Sequence, residues 1–258
     1  MTWDGYVAAY HDANPGITED VLAAAYDEAG GTPYDWLLEA LPPPAHGPDA
    51  VPLLVDLACG SGAVLRRLAA GRAASGRVVG VDRSESELAR ARRQCPRARL
   101  LRADARRLPL AGGVAGVVTA SMALMVMAPA DEVLAEVARV LRPGGRMVAT
   151  VPTRSVAATG FSEVLAALGQ GAVAYPEPLE DAGGKLRDAG LELVDDTSAS
   201  FSRKVEGADE ADLVVRSFYA PGAGPAARQR AAAVLRRRLA AGPVALAYPI
   251  RRIVAVRR

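Results

Sequence analysis

The chain is poor in residues that report on compartment and on metal chemistry. Its 258 residues include two cysteines, Cys59 and Cys95, and two histidines, His11 and His46. Two thiols cannot build a disulfide framework or a cysteine metal site, and they suit a reducing compartment, here the cytoplasm. No histidine–carboxylate cluster has ligand spacing, so no metal is expected. No run approaches the ~18 uninterrupted apolar residues of a membrane helix. Met1-Thr2-Trp3-Asp4-Gly5 is neither basic nor followed by an apolar core, so no signal peptide is read there. Lysine is nearly missing, with only Lys185 and Lys204, so the basic side chains are almost all arginine. Together with the abundant alanine this points to GC-rich coding, which lowers the weight of arginine count as a functional sign.

The charge balance is close to even, 31 basic against 29 acidic residues, which argues against a polyanion binder. Residues 221–258 hold nine arginines and no acid, and solvated helix and strand surface explains that run.

What is present is a strand–helix alternation. Residues 1–41 read as two helical stretches, followed by the turn-rich Pro42-Pro43-Pro44-Ala45-His46-Gly47-Pro48. Short apolar runs at Leu53–Leu57, Val78–Val81, Ala98–Leu101, Val114–Ala120 and Arg146–Val151 alternate with helical segments at 63–70, 85–94 and 129–140. This predicts a parallel sheet covered on both faces. Further helices are read near 161–169, 178–189 and 225–241, with strand-like runs at Leu191–Ser202 and Ile250–Val256. Pro249 lacks a ladder donor, so the last strand is expected to start after it.

The chemistry-bearing segment is Val55-Asp56-Leu57-Ala58-Cys59-Gly60-Ser61-Gly62. A strand runs into a tight turn from which a helix starts. Gly60 and Gly62 let a ligand lie against bare backbone, and amides at the helix start can meet a carboxylate or phosphate. Asp82 closes the next strand, 20 residues beyond Gly62, where a carboxylate can accept both hydroxyls of a ribose. To this point a nicotinamide cofactor stays open. Three features oppose it: the third glycine of the dinucleotide fingerprint is missing, Asp56 precedes the turn inside the strand, and Asp104 follows the third strand.

Asp56-Leu57-Ala58-Cys59-Gly60-Ser61-Gly62, Val79-Gly80-Val81-Asp82, Ala103-Asp104-Ala105-Arg106-Arg107-Leu108-Pro109 and Leu141-Arg142-Pro143-Gly144-Gly145 follow one another in order. The set resembles the class I S-adenosylmethionine-dependent methyltransferases, in particular the type 11-like branch acting on small molecules. The resemblance implies an α/β, Rossmann-like, doubly wound and mostly parallel seven-stranded sheet with helices on both faces. It divides the chain into an N-terminal helical cap and linker (1–50), a cofactor-binding core (51–152) and a substrate region with the last strands (153–258).

The same resemblance implies the roles of residues. Asp56, Ala58, Gly60 and Gly62 lie beside the methionine part of S-adenosylmethionine. Asp82, with Arg83 next to it, holds the ribose, Asp104 and Ala105 meet the adenine, and Ser121 borders the sulfonium. S-adenosylhomocysteine is the expected product. Ala58 stands where the family has the first glycine of the turn, and residues 110–116 lack the family's acid–aromatic cluster.

Six of the twelve aromatics fall within the first 36 residues. Tyr6 and Tyr10 share a helix face and are expected on the substrate wall, together with Met122, Met125 and Phe161; Met127 and Tyr175 lie near the same wall. His11 is a candidate base or orienting group from the N-terminal cap. The expected reaction is methyl transfer to oxygen, nitrogen or carbon of a small molecule of secondary metabolism, which positioning alone largely drives. RNA methylation is disfavoured, because Ala120-Ser121-Met122-Ala123 lacks the acid, prolines and aromatic used on base amines. A cofactor-binding member without methyl transfer, serving as a scaffold or a cyclase-like catalyst, is the reading from a different class. Because the sheet begins near Leu53, deletion of residues 1–30 is expected to leave the α/β unit folded and to impair turnover; a melting curve of the truncated chain checks this.

Overall fold

The computed structural model describes residues 1–43, 52–70, 77–153, 160–169, 175–176 and 179–258. Three helices open the chain: α1 (Trp3–Ala13), α2 (Ile17–Leu22) and α3 (Pro33–Glu39). The sequence reading had two helical stretches here. Breaks were expected at Asn14-Pro15-Gly16 and at Gly30-Gly31-Thr32-Pro33, and the left-handed Gly16, at φ 77°, stands at the first of them. Thr32 and Asp35 form a reciprocal capping box, which starts α3 at a proline that needs no amide partner.

The alternating unit then follows: β1 (Leu53–Leu57), α4 (Ala63–Ala70), β2 (Val78–Asp82), α5 (Glu85–Gln94), β3 (Arg99–Arg102), β4 (Ala115–Ser121), α6 (Ala130–Val140) and β5 (Leu141–Pro152). A 3₁₀ turn at Leu124–Val126 lies between β4 and α6. The rest comprises α7 (Ser162–Ala167), α8 (Ala182–Asp188), β6 (Leu191–Val205), α9 (Ala208–Arg216), α10 (Pro225–Leu239) and β7 (Val244–Arg257).

Seven strands form one sheet in the order β3-β2-β1-β4-β5-β7-β6. Strands β1 to β5 are parallel, β7 runs antiparallel to β5, and β6 antiparallel to β7. The sheet is thus Rossmann-like and mostly parallel, with a single antiparallel strand, β7, near its end. Its winding reverses between β1 and β4, and such a switch point leaves a crevice at the carboxyl ends of the strands. Side-chain alternation splits the core between two faces. Val55, Leu57, Met147 and Ala149 join α1, α6 and α8 on one face. Leu54, Val117 and Val148 join α3 and α4 on the other.

The last two strands depart from expectation. β7 starts at Val244 and runs through Pro249, which pairs with Ser200. The carbonyl of Pro249 accepts the Thr153 amide at 3.0 Å, on the side where the β5 ladder ends at Pro152–Ile250. The missing N–H faces that same side, so the proline takes no donor from the β6 ladder. Helix α9 was not foreseen; with α7 and α10 it packs around Phe161, Val164, Val214 and Leu235 into a second core beside the sheet. Among the described residues, no helix is long and apolar enough to cross a membrane.

The N-terminal helices are part of the core. Val7, Tyr10, Ile17, Val21, Leu22, Ala25, Tyr34 and Leu37 are all buried. Tyr26 bridges to Ser202 of β6 through amide–carbonyl bonds of 2.9 and 2.7 Å. Arg203, 4% exposed, donates to the carbonyls of Asp20 (3.1 Å) and Val21 (2.9 Å). This corrects the truncation expectation. Removing residues 1–30 strips six buried apolar side chains (Val7, Tyr10, Ile17, Val21, Leu22 and Ala25) from three clusters. At about 2 kcal/mol or more per large side chain lost, that is comparable to the whole stability of an ordinary domain. The truncated chain should show no cooperative thermal transition; a wild-type-like melt by circular dichroism would contradict this.

Candidate functional site

A cavity of about 600 Å³ opens at the carboxyl ends of β1, β2 and β4, under α1 and α2. Its volume is typical of a site for a cofactor-sized ligand.

The floor is the turn from β1 into α4. Gly60 (φ 51°) and Gly62 (φ 95°) adopt left-handed backbone, and so does Ala58 (φ 51°). An alanine held there costs about 1–2 kcal/mol, so the residue that replaces the first glycine is a strained one. Two acids organise the turn. Asp82 Oδ2 accepts from the Gly60 amide and Oδ1 from the Ser84 amide, both at 2.9 Å. Glu19, on α2, accepts from the Ser61 amide (3.1 Å), from the Ser61 hydroxyl and from the Ala63 amide (3.4 Å). The amides at the helix start, expected to face a ligand carboxylate, are therefore occupied by one from the protein. Beneath them, Asp56 is 1% exposed; its Oδ1 accepts from Thr119 Oγ1 at 2.8 Å, and Oδ2 has no partner among the described residues.

Burial raises all three acids. Glu19 is pushed to about 7 despite its bond from Ser61, and Asp56 to about 8 despite Thr119. Asp82 is raised for the same reason, opposed by the Ser84 and Gly60 amides.

Helix α1 forms one wall. His11 Nδ1 lies 2.8 Å from Glu87 Oε1 and Nε2 lies 2.8 Å from the Tyr219 hydroxyl. Glu87 is 1% exposed, and a carboxylate so buried fixes the ring's orientation. At the opposite end, Arg106 grips Asp104 through Nε (3.0 Å) and Nη2 (2.7 Å), which holds that carboxyl below its ordinary range. Arg106 also pairs with Asp4 of α1 at 3.3 Å, and Arg83 donates to the Asp4 carbonyl at 2.9 Å.

Most of the residues singled out in the sequence meet in this cavity. Asp56, Ala58, Gly60, Asp82, Arg83 and Asp104 line it, and so do Ala105, Ser121, Met122, Met125, Phe161 and His11. Ser121 Oγ lies 3.3 Å from Thr150 Oγ1. Three do not line it. Gly62 faces α5, where an added Cβ would stand 3.1 Å from Cys95 Sγ. Tyr6 accepts from the Ala220 amide at 2.7 Å, and Tyr10 donates to the Arg216 carbonyl at 2.9 Å. Both tyrosines thus tie α1 to the end of α9 and the chain just after it. The wall instead carries the neighbouring stripe Asp4, Val7, Ala8 and His11. His46 falls outside the described residues.

Among the lining residues that escaped the sequence reading are Glu19, Glu87, Tyr219 and Tyr248. Glu87 follows Ser84 by three residues and reads as a capping-box acid, although its carboxyl goes to His11. Among the described residues, no group of three or more His, Cys, Asp or Glu is arranged around a metal position. Asp195 and Asp196 pair with Arg252 (3.5 Å) and Arg251 (2.5 Å) on β7.

Residues 55–149 match the methyltransferase domain family. Over that stretch the chain carries a methyltransferase domain similar to those of the class I S-adenosylmethionine-dependent methyltransferases. It is 35% identical over 132 residues to the demethylmenaquinone methyltransferase of Beutenbergia cavernae, covering 51% of this chain and 50% of that one. The chain spans between 29% and 50% of the length of the curated relatives it matches. In fold it is similar to the cyclase SpnF, with a TM-score of 0.61, 21% identity and coverage of 97% and 94% of the two chains. It is also similar in fold to geranyl diphosphate C-methyltransferase from Streptomyces coelicolor, with a TM-score of 0.51, 18% identity and coverage of 87% and 76%.

The methyltransferase domain's cavity fits the family's cofactor in charge and in space. S-adenosylmethionine carries a net positive charge, and the turn gathers Glu19, Asp56 and Asp82 against it. An added Cβ at Gly60 would come within 2.6 Å of Glu19 Oε1, so the turn has no room for another side chain at that position.

The raised acids make stability depend on pH with a definite sign. The folded protein binds these protons more tightly than the unfolded chain, whose carboxyls titrate at their ordinary values of 4.5 and 3.8. Their contribution is therefore complete below about pH 4 and is lost as pH rises through about 7 and 8. Asp56→Asn removes one of these protons and should make the fall shallower; denaturant midpoints from pH 5 to 9 test it, and parallel curves for variant and wild type would contradict it.

Proposed function

We propose that the chain transfers the methyl group of S-adenosylmethionine to a small molecule held at the apolar end of the cavity. The observation that carries this reading is the joining, in one cavity, of an acid-ringed glycine turn with a wall of Met122, Met125, Phe161 and Phe218. When bound, the cofactor supplies an electrophilic methyl on a sulfonium, open to in-line displacement. The protein's work is then binding, alignment and exclusion of water.

In this reading Asp82 accepts from the ribose hydroxyls while it keeps its hold on the Gly60 and Ser84 amides. Asp104 and Ala105 take the adenine edge, with Arg83 and Arg106 fixing the carboxylate. Ala58 and Gly60 lie along the methionine arm, above Asp56; Gly62 sets the start of α4 from behind. Ser121 borders the reacting centre. Residues 1–50 cover the cofactor, 51–152 hold it, and 153–258 shape the acceptor side.

His11 is the candidate base. In the tautomer whose Nδ1 donates to Glu87, Nε2 is left to accept from Tyr219. A hydroxyl or amine acceptor can then pass its proton to the Tyr219 oxygen as Tyr219 passes its own to His11. The compartment proposed is the cytoplasm, where the buried thiols Cys59 and Cys95 stay reduced.

The likeness to SpnF keeps a non-methylating, cyclase-like role as the second reading. Mass spectrometry of candidate acceptors separates the two: a gain of one methyl supports transfer, and a rearranged acceptor of unchanged mass supports the alternative. For the cofactor, titration calorimetry should show binding that Asp82→Ala weakens by ~1.5–3 kcal/mol, the scale of hydrogen bonds to a charged group. Asp82→Asn, which keeps the side chain's shape, controls for damage to the turn. Unchanged affinity in both variants would remove Asp82 from the ribose role.

A further inference from the structure

Helix starts such as that of α4 present free amides and ordinarily attract an anion. Here Glu19 closes that position. One carboxylate oxygen takes the Ser61 amide and hydroxyl, and the other lies 3.4 Å from the Ala63 amide. A carboxylate oxygen accepts more than one hydrogen bond, so Glu19 keeps acceptor capacity toward the cavity it lines.

The arrangement is built rather than incidental. Helix α2 is clamped from two sides. Arg203 donates to its Asp20 and Val21 carbonyls at 3.1 and 2.9 Å. Arg90 grips the Asp20 carboxylate at 2.6 and 2.7 Å and the Pro15 carbonyl at 2.7 Å. Ile17, Val21 and Leu22 are buried around Glu19. The partnerless Asp56 Oδ2 adds a second buried carboxyl oxygen on the same floor. A ligand carboxylate approaching the turn would meet these carboxylates in place of amides.

We propose that Glu19 converts the turn from an anion site into a cation site and receives the α-ammonium of the cofactor's amino-acid arm. The assignment rests on the cofactor reading above. It makes α2 a direct reader of that arm, with the ligand's own carboxylate turned away from the start of α4. The ammonium then makes a charge-assisted bond to an acceptor already oriented by the turn.

The test is calorimetry on the full chain and its Glu19→Gln variant with three probes. These are S-adenosylhomocysteine, its analogue with the α-amine replaced by hydrogen, and 5′-methylthioadenosine, which lacks the arm. Glu19→Gln should lower affinity for S-adenosylhomocysteine by about tenfold or more. The amine-free analogue and 5′-methylthioadenosine should each stay within about twofold of wild type, on the expectation that an interaction is lost only where both partners were present. Glu19→Ala, which frees the Ser61 and Ala63 amides, should bind the amine-free analogue more tightly than wild type does. An equal loss for all three probes, or no loss for any, overturns the assignment and makes Glu19 a structural plug. Failure of wild type to bind any of the probes overturns the cofactor reading, and this assignment with it.

Discussion

Carboxyl groups buried or half-buried at the end of a parallel sheet are the constraint around which this molecule is arranged. Glu19, Asp56, Asp82 and Glu87 converge on one cavity, and a charged group removed from water is costly unless hydrogen bonds replace its hydration. Each has such bonds, and each comes from a different element. Thr119 of β4 serves Asp56, the turn amides serve Asp82 and Glu19, and His11 of α1 serves Glu87. The N-terminal helices therefore bring both an acid and the partner of another acid. Their anchoring through Arg203, Arg90 and the Tyr26–Ser202 bridge follows from the same need.

Local signals explain what could be read in the sequence. The order of strands, the glycine turn, Asp82 and Asp104 are each defined by a few adjacent residues, and the sheet carries them to one crevice. Partners far apart in the chain were illegible for a matching reason. Glu19 looks like an acid in a first helical turn, and Glu87 like one member of a capping box. Both are ordinary where they stand, and only packing turns them inward. Tyr6 and Tyr10 show the limit of helical spacing. It groups them correctly on one face of α1 but does not say which face meets the cavity, and the adjacent stripe with Val7 and His11 does so.

Strand ends were less legible than strand centres. Proline at 249 reads as a stop, yet the ladder on its amide side has already ended there. The mismatch at Ala58 is of another kind. An alanine occupies a backbone region that disfavours it, so the turn is sustained by Asp82, Glu19 and the flanking helix rather than by the preference of its own residues.

The two margins of the sheet have a bearing on how copies of this chain meet. Open strand edges invite other strands, and proteins that remain dispersed blunt them. Here one margin is β3, four residues long with an exposed arginine at each end, Arg99 and Arg102. The other is β6, which is long but is kinked by a register shift at Leu193–Asp195, studded with charge, and capped at Ser202 by Tyr26. Neither margin offers a flat, apolar template, so the sheet resists growth by edge-to-edge stacking even though half the residues of the chain are hydrophobic.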